Sequence, residues 1–260
     1  MATEPRVSGG HVHALYHHGA GPLHRLAPEV KLAAALAFVA AVVATPRTAL
    51  WAFAVDAALL VVLMVIARLP PKFVAGRMTV EIPFILFAMA LPFIGRGERV
   101  DVLGLSLSRE GLWGAWNIAA KATLGIATSV VLAGTTQVPD LLKGFHRLRF
   151  PRMVTSIMGF MVRYLDVVIG ELNMMRIALR SRGYRPRRLG DTRPLAAAAG
   201  TLFIRSYERG ERVYLAMLAR GYTGSLPDLG GSRGGAGAWG LAALVPLAAA
   251  AAAAVAWVAS

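Results

Sequence analysis

Residues 236–260 carry no charged side chain at all. As a helix such a run is about 37 Å long, and about 20 apolar residues already cross the ~30 Å hydrocarbon core of a bilayer. Residues 51–67 form a second apolar run, broken only by Asp56. A water-soluble helical bundle with a rich core is the competing explanation, but it would have to bury both runs on every side. The runs point instead to an integral membrane protein.

Five spans are expected, at about residues 30–45, 49–67, 80–94, 112–133 and 238–259. Pro46 ends the first, and Pro70 and Pro71 end the second, because proline lacks the helical donor. Pro83 and Pro92 make the third irregular, with Glu81 near its mouth. Residues 1–23 are polar and lack the apolar segment of a secretory signal. The first run, flanked by Arg25 and Lys31, is therefore expected to be retained as a helix. There is no cysteine, which removes thiolate and disulfide chemistry.

Charge is distributed unevenly. The 260 residues carry a formal net charge of +14, although 56% of them are hydrophobic. Residues 136–236 hold 17 of the 28 Lys and Arg and only 7 of the 14 Asp and Glu. The positive-inside rule places this segment in the cytoplasm. Arg25, Lys31, Arg68, Lys72 and Arg77 then also fall inside. Loop 95–111 falls outside, where Glu98, Asp101 and Glu110 offset Arg96, Arg99 and Arg109. The expected class is an all-α integral membrane protein. Its parts are an N-terminal His-rich tail (1–29), transmembrane helices one to four (30–135), a basic cytoplasmic module of long amphipathic helices (136–236) and a C-terminal transmembrane helix (237–260).

Within the module, "PDLLKGFHRLRFP" (139–151) puts Leu141, Leu142, Phe145 and Leu148 on one helical face, with Lys143, Arg147 and Arg149 around the rest. A long helix then runs from proline at 151 towards "SRGY" (181–184). A second runs from about Leu195 to "ARGY" (219–222). The two motifs are thirty-eight positions apart in the same register, and Ala178 matches Ala216. Glycine after a last turn containing Arg is an ordinary way to end a helix. The repetition asks for more. Arg presents a planar fork suited to carboxylates, and the small residues Ser181 and Ala219 let each helix end approach a partner closely.

Paired Ala-Arg-Gly-like motifs of this kind resemble those of the transmembrane T components of energy-coupling factor (ECF) transporters. "HRLAPEVKL" (24–32) and "TTQVPDLLKGFHRLRFP" (135–151) are similar to family segments flanking the first four spans. "FMVRYLDVVIGELNMMRIALRSRGY" and the apolar C-terminal tail resemble the CbiQ-type subgroup, which serves cobalt and nickel uptake. Ser181 departs from the family's more usual Ala. The resemblance implies a non-catalytic subunit of an ATP-driven importer in a bacterial inner membrane. Two coupling helices would dock on an ABC-type ATPase dimer through Ser181, Arg182, Gly183, Ala219, Arg220 and Gly221. They would transmit its motion to a substrate-specific membrane subunit of CbiM type, with or without a small accessory membrane subunit. The resemblance implies no cofactor, no catalytic residue and no metal ligand in this chain. The chain has no G-x-x-x-x-G-K-[ST] phosphate loop, so ATP hydrolysis is expected from a partner.

His11, His13, His17, His18 and His24 could bind cobalt, nickel or zinc. Gly9, Gly10, Gly19, Gly21 and Pro22 argue against a helix that would converge them, so a solvated tail is the simpler expectation. Charges inside a bilayer are costly and are often functional. Asp56 and Lys121 are expected to find helix neighbours. Arg163 and Asp166 are expected as a local pair, and Glu171 is expected to pair with Arg176 or with a partner. Met153, Met158, Met161, Met174, Met175 and Met217 read as an adaptable packing face. The alternatives are a T component of a nickel or vitamin importer, or a basic membrane-anchored scaffold for anionic lipid or nucleic acid. Binding by that scaffold would fall steeply with salt, and it leaves the register of the two motifs unexplained; no nucleic-acid partner is expected.

Overall fold

Proline and glycine set the boundaries of nearly every element in the computed structural model, which describes residues 21–95, 99–102, 105–184, 192–224 and 234–259. A short helix α1 (Pro22–Arg25) precedes α2 (Pro28–Ala44), and each begins with proline, whose fixed φ suits the first turn. α3 (Leu50–Ile66) ends where Arg68 takes a left-handed φ of 53°, followed by Pro70 and Pro71. α4 (Pro71–Met78), a 3-10 turn (Thr79–Glu81) and α5 (Ile82–Ile94) then form one continuous apolar element of 24 residues.

The third span therefore starts about nine residues earlier than residue 80, where the sequence placed it. Pro83 explains the tight turn in its middle. It cannot donate to the Thr79 carbonyl one turn earlier, and that carbonyl accepts the Ile82 N–H instead.

Strands β1 (Arg99–Val102) and β2 (Leu105–Ser108) pair antiparallel, Arg99 opposite Ser108, in a small hairpin between α5 and α6. It is the one strand pair among the described residues and leaves the all-α class intact. Ser108 caps α6 (Arg109–Thr135) by accepting the Gly111 N–H at 3.3 Å. Then come α7 (Val138–Arg147), α8 (Arg152–Ser181), α9 (Arg193–Leu218) and α10 (Ala236–Val258). Elements Pro71–Ile94, α6, α8 and α10 are each long and apolar enough to cross a bilayer. Of the 17-residue helices, α3 is strongly apolar and α2 carries its only charges, Glu29 and Lys31, near its start.

The described residues divide into two compact units, with α8 and α9 in one and the remaining elements in the other. In the larger unit, Phe38 and Val42 of α2, Phe53 and Leu60 of α3, Leu124 and Ala127 of α6 and Ala249 of α10 share a core. Ala252 and Ala256 of α10 meet Ala49 and Ala52 at the start of α3, small side chains that let two backbones approach closely. α7 packs on α2. It thus belongs with the larger unit, although the sequence grouped it with the basic module: Gly144 lies against Pro28 and Glu29, and Arg147 pairs with Glu29.

Intramembrane polar groups are handled individually. Lys121 of α6 donates to the Val43 carbonyl at 2.8 Å, one of the carbonyls left open at the end of α2. Glu81 is buried and accepts from Thr123 on α6. The sequence placed Glu81 near the mouth of the span, but the longer α4–α5 element draws it against α6. Asp56 is fully buried on the same face of α3 as Phe53 and Leu60, with no hydrogen-bond partner among the described residues.

Candidate functional site: two capped helix ends

The two Arg-Gly-Tyr motifs fold into the same local structure. At the end of α8, Arg182 holds φ −85° and ψ 13°, and Gly183 turns left-handed at φ 79°. The Tyr184 N–H then reaches back to the Leu179 carbonyl at 3.1 Å, and the Gly183 N–H to the Arg180 carbonyl at 3.0 Å. At the end of α9, Gly221 has φ 82°. The Tyr222 N–H reaches the Met217 carbonyl at 3.0 Å, and the Gly221 N–H reaches Leu218 at 3.0 Å. Both are Schellman caps, in which nested backbone bonds satisfy carbonyls the helix end would leave open.

The cap explains the glycines and leaves the arginines free for another use. Arg182 and Arg220 are both exposed. Among the described residues the Arg182 guanidinium has no hydrogen-bond or ion-pair partner. Arg220 spends one donor on the Ala216 carbonyl at 3.2 Å and keeps the rest of its fork open. Ser181 turns its hydroxyl back to the Ile177 carbonyl at 3.0 Å, so the departure from Ala adds no unpaired polar group. Ala219 is exposed beside Arg220. Each helix end therefore presents a small residue, a guanidinium and an open glycine with no atom within 4 Å of where a side chain would start.

The helices behind the motifs are linked at matching positions. Glu171 of α8 pairs with Arg209 of α9 and not with Arg176, one of the two alternatives the sequence left open. Neither Arg163–Asp166 nor any other pair within α8 occurs among the ion pairs of the described residues. Met153, Met161 and Met174 are strongly exposed along α8. His11, His13, His17 and His18 lie outside the described residues.

A further polar site was not read from the sequence. Glu29, on the first turn of α2, accepts Nη1 of Arg147 at 3.1 and 3.2 Å on its two oxygens. It also accepts the Gly234 N–H at 2.9 Å. Two charges bracketing the start of an apolar run, Glu29 and Lys31, were the available signal.

These features define a multi-pass membrane protein that carries a duplicated, arginine-tipped helix pair. The chain belongs to the CbiQ family of cobalt transport proteins, CbiQ-type T components of ECF transporters, whose family model matches residues 19–229. It is 27% identical to an uncharacterized protein of Methanocaldococcus jannaschii over 64% of this chain and 60% of the relative. It is 24% identical to a putative fused cobalt transport protein CbiMQ of Methanocorpusculum labreanum, over 80% of this chain and 36% of that protein. It is 25% identical to the energy-coupling factor transporter transmembrane protein EcfT of Staphylococcus aureus, over 78% of this chain and 81% of EcfT. The chain thus spans less than two thirds of the first two of these relatives.

Proposed function

We propose that this chain is the transmembrane coupling subunit of an ATP-driven ECF importer. It takes no part in hydrolysis and passes ATPase motion to a substrate-binding membrane subunit, for the uptake of cobalt ions. The observation that carries the reading is the duplication: two helices end in the same cap, and each leaves an exposed arginine one residue before a left-handed glycine. Two identical plugs suit two identical sockets, such as acidic grooves on an ATPase dimer. Ser181 and Ala219 keep the approach open, Arg182 and Arg220 pair with carboxylates, and Gly183 and Gly221 let the chain turn away. The helix pair and the N-terminus then face the cytoplasm of a bacterial inner membrane. The family's description supports cobalt, and the fused relative's name supports a CbiM-type substrate subunit as neighbour.

Truncating a charge-paired interface arginine costs roughly 2–5 kcal/mol, or about 30-fold to several-thousand-fold in affinity. Arg182→Ala or Arg220→Ala should weaken co-purification of the ATPase, and the double substitution should weaken it more than either, because the second plug no longer tethers the complex. Labelled cobalt uptake should fall at least as far. Full assembly and uptake with both arginines replaced would reduce the motifs to helix caps.

A further inference from the structure

The buried carboxylate of Glu29 joins three elements that are far apart in sequence. Arg147 sits on the last turn of α7, 118 positions away, and Gly234 sits just before α10, 205 positions away. The side chains of Arg147 and Glu29 are only 10% and 6% exposed. The backbones are drawn tightly around the same turn. A Cβ on Gly144 of α7 would lie 3.2 Å from the Glu29 nitrogen and the Pro28 carbonyl carbon. A Cβ on Gly234 would lie 2.5 Å from Cγ2 of Val30, so any larger residue would force the two apart. Two residues further along, Lys31 donates to the Thr135 carbonyl at 2.9 Å, the last residue of α6.

The connectivity gives this cluster its meaning. Arg147 is the last residue of α7, and the two-helix unit begins two positions later at Arg149, whose φ is 63°. That unit ends at Gly230, four positions before Gly234. One carboxylate therefore holds the two places in the larger unit nearest in sequence to where the chain leaves for the helix pair and returns from it. Charge-assisted hydrogen bonds are about twice as strong as neutral ones, and a low local dielectric strengthens them further.

We propose that Glu29 is a positioning residue: with Arg147 and the Gly234 N–H it clamps both connections of the α8–α9 pair to the start of α2, so that displacement of the pair moves α2 and α10 with it. The inference rests on the coupling role proposed above. It assigns to Glu29 the conversion of motion, and to Arg182 and Arg220 the docking.

The two roles separate in one reconstituted system containing the full chain, the ATPase dimer and the substrate subunit in liposomes, with ATP hydrolysis and cobalt uptake measured together. Glu29→Gln keeps the shape and an acceptor for Gly234 but removes the charge. It should leave ATPase co-purification and hydrolysis near wild type and lower cobalt taken up per ATP at least tenfold. A merely structural glutamate would lower assembly, hydrolysis and uptake in proportion, and that result, or an unchanged ratio, overturns the clamp.

The chain has no cysteine, which permits a second arm with cysteine-free partners. Glu29→Cys with Arg147→Cys should be poorly coupled when reduced and should recover uptake per ATP when the two thiols are joined by a short bifunctional reagent. An equal ratio before and after joining also overturns the clamp. If the wild-type chain binds no ATPase, the coupling reading and the clamp fall together. If the ATPase binds and the ratio ignores Glu29, only the clamp falls.

Discussion

Glu171 and Arg209, the ion pair between α8 and α9, occupy equivalent positions of the two motif-bearing helices: Glu171 lies eleven residues before Arg182, and Arg209 lies eleven before Arg220. At 1.5 Å per residue, each arginine stands about 16 Å along its own helix from the pair. The thirty-eight-residue register of the motifs is thus also the register of the contact.

The pair is partly open to solvent, 37% at Arg209 and 22% at Glu171, so its worth is modest. A double-mutant cycle with Glu171→Gln and Arg209→Gln should give a coupling of about 0.2–1 kcal/mol, read from thermal unfolding in detergent. The charge-exchanged protein, Glu171→Arg with Arg209→Glu, should recover most of it. A coupling indistinguishable from zero would remove the pair as a link between the helices.

The caps and the arginines make separable contributions. Gly183→Ala and Gly221→Ala meet no neighbouring atom but must adopt φ near +80°, which costs an L-residue about 1–2 kcal/mol. Each should lower the melting temperature and fray the last turn. Asn at either position should lose less, since it tolerates the left-handed region better. Arg182→Lys and Arg220→Lys should leave stability unchanged and restore ATPase co-purification only in part relative to alanine, because lysine keeps the charge without the fork. If lysine and arginine assemble equally well, bidentate pairing is not the mode of docking.

Two nearby glycines of α6 should respond in opposite directions. A Cβ on Gly111 would lie 2.6 Å from the Leu91 carbonyl oxygen and 2.8 Å from Cα of Pro92, both backbone atoms of α5. Gly111→Ala must therefore separate the helices, at about 1–3 kcal/mol. Gly114 has its nearest neighbour, Cδ1 of Leu91, at 3.9 Å. Gly114→Ala should be neutral or stabilising by up to about 1 kcal/mol, because alanine loses less backbone entropy. Melting temperatures of the two variants in one detergent test the contrast, and a Gly111→Ala protein as stable as wild type would show that α5 and α6 do not pack this closely.

The orientation expected from the charge distribution can be measured directly. A reporter inserted after residue 190, between α8 and α9, should report cytoplasm, and one fused at residue 260 should report the opposite side. An external signal at residue 190 would remove the ATPase partnership, because ATP is held inside the cell.

What the sequence determines by itself here is local. Charge-free stretches select the bilayer as solvent because no polar side chain resists transfer. Proline and glycine mark the helix ends because their backbone limits are intrinsic, so both caps were legible at residues 181–184 and 219–222. Tertiary structure decided what local spacing leaves undetermined. Glu171 had a same-helix arginine five residues away at Arg176, yet it pairs with Arg209 on the neighbouring helix. α7 had the charge of the basic module, yet it packs on α2, where Gly144 admits close contact. Nothing in the sequence near Glu29 names its partners, a guanidinium from α7 and an amide just before α10. A buried carboxylate takes the donors that packing delivers, and which donors arrive depends on how distant helices stack.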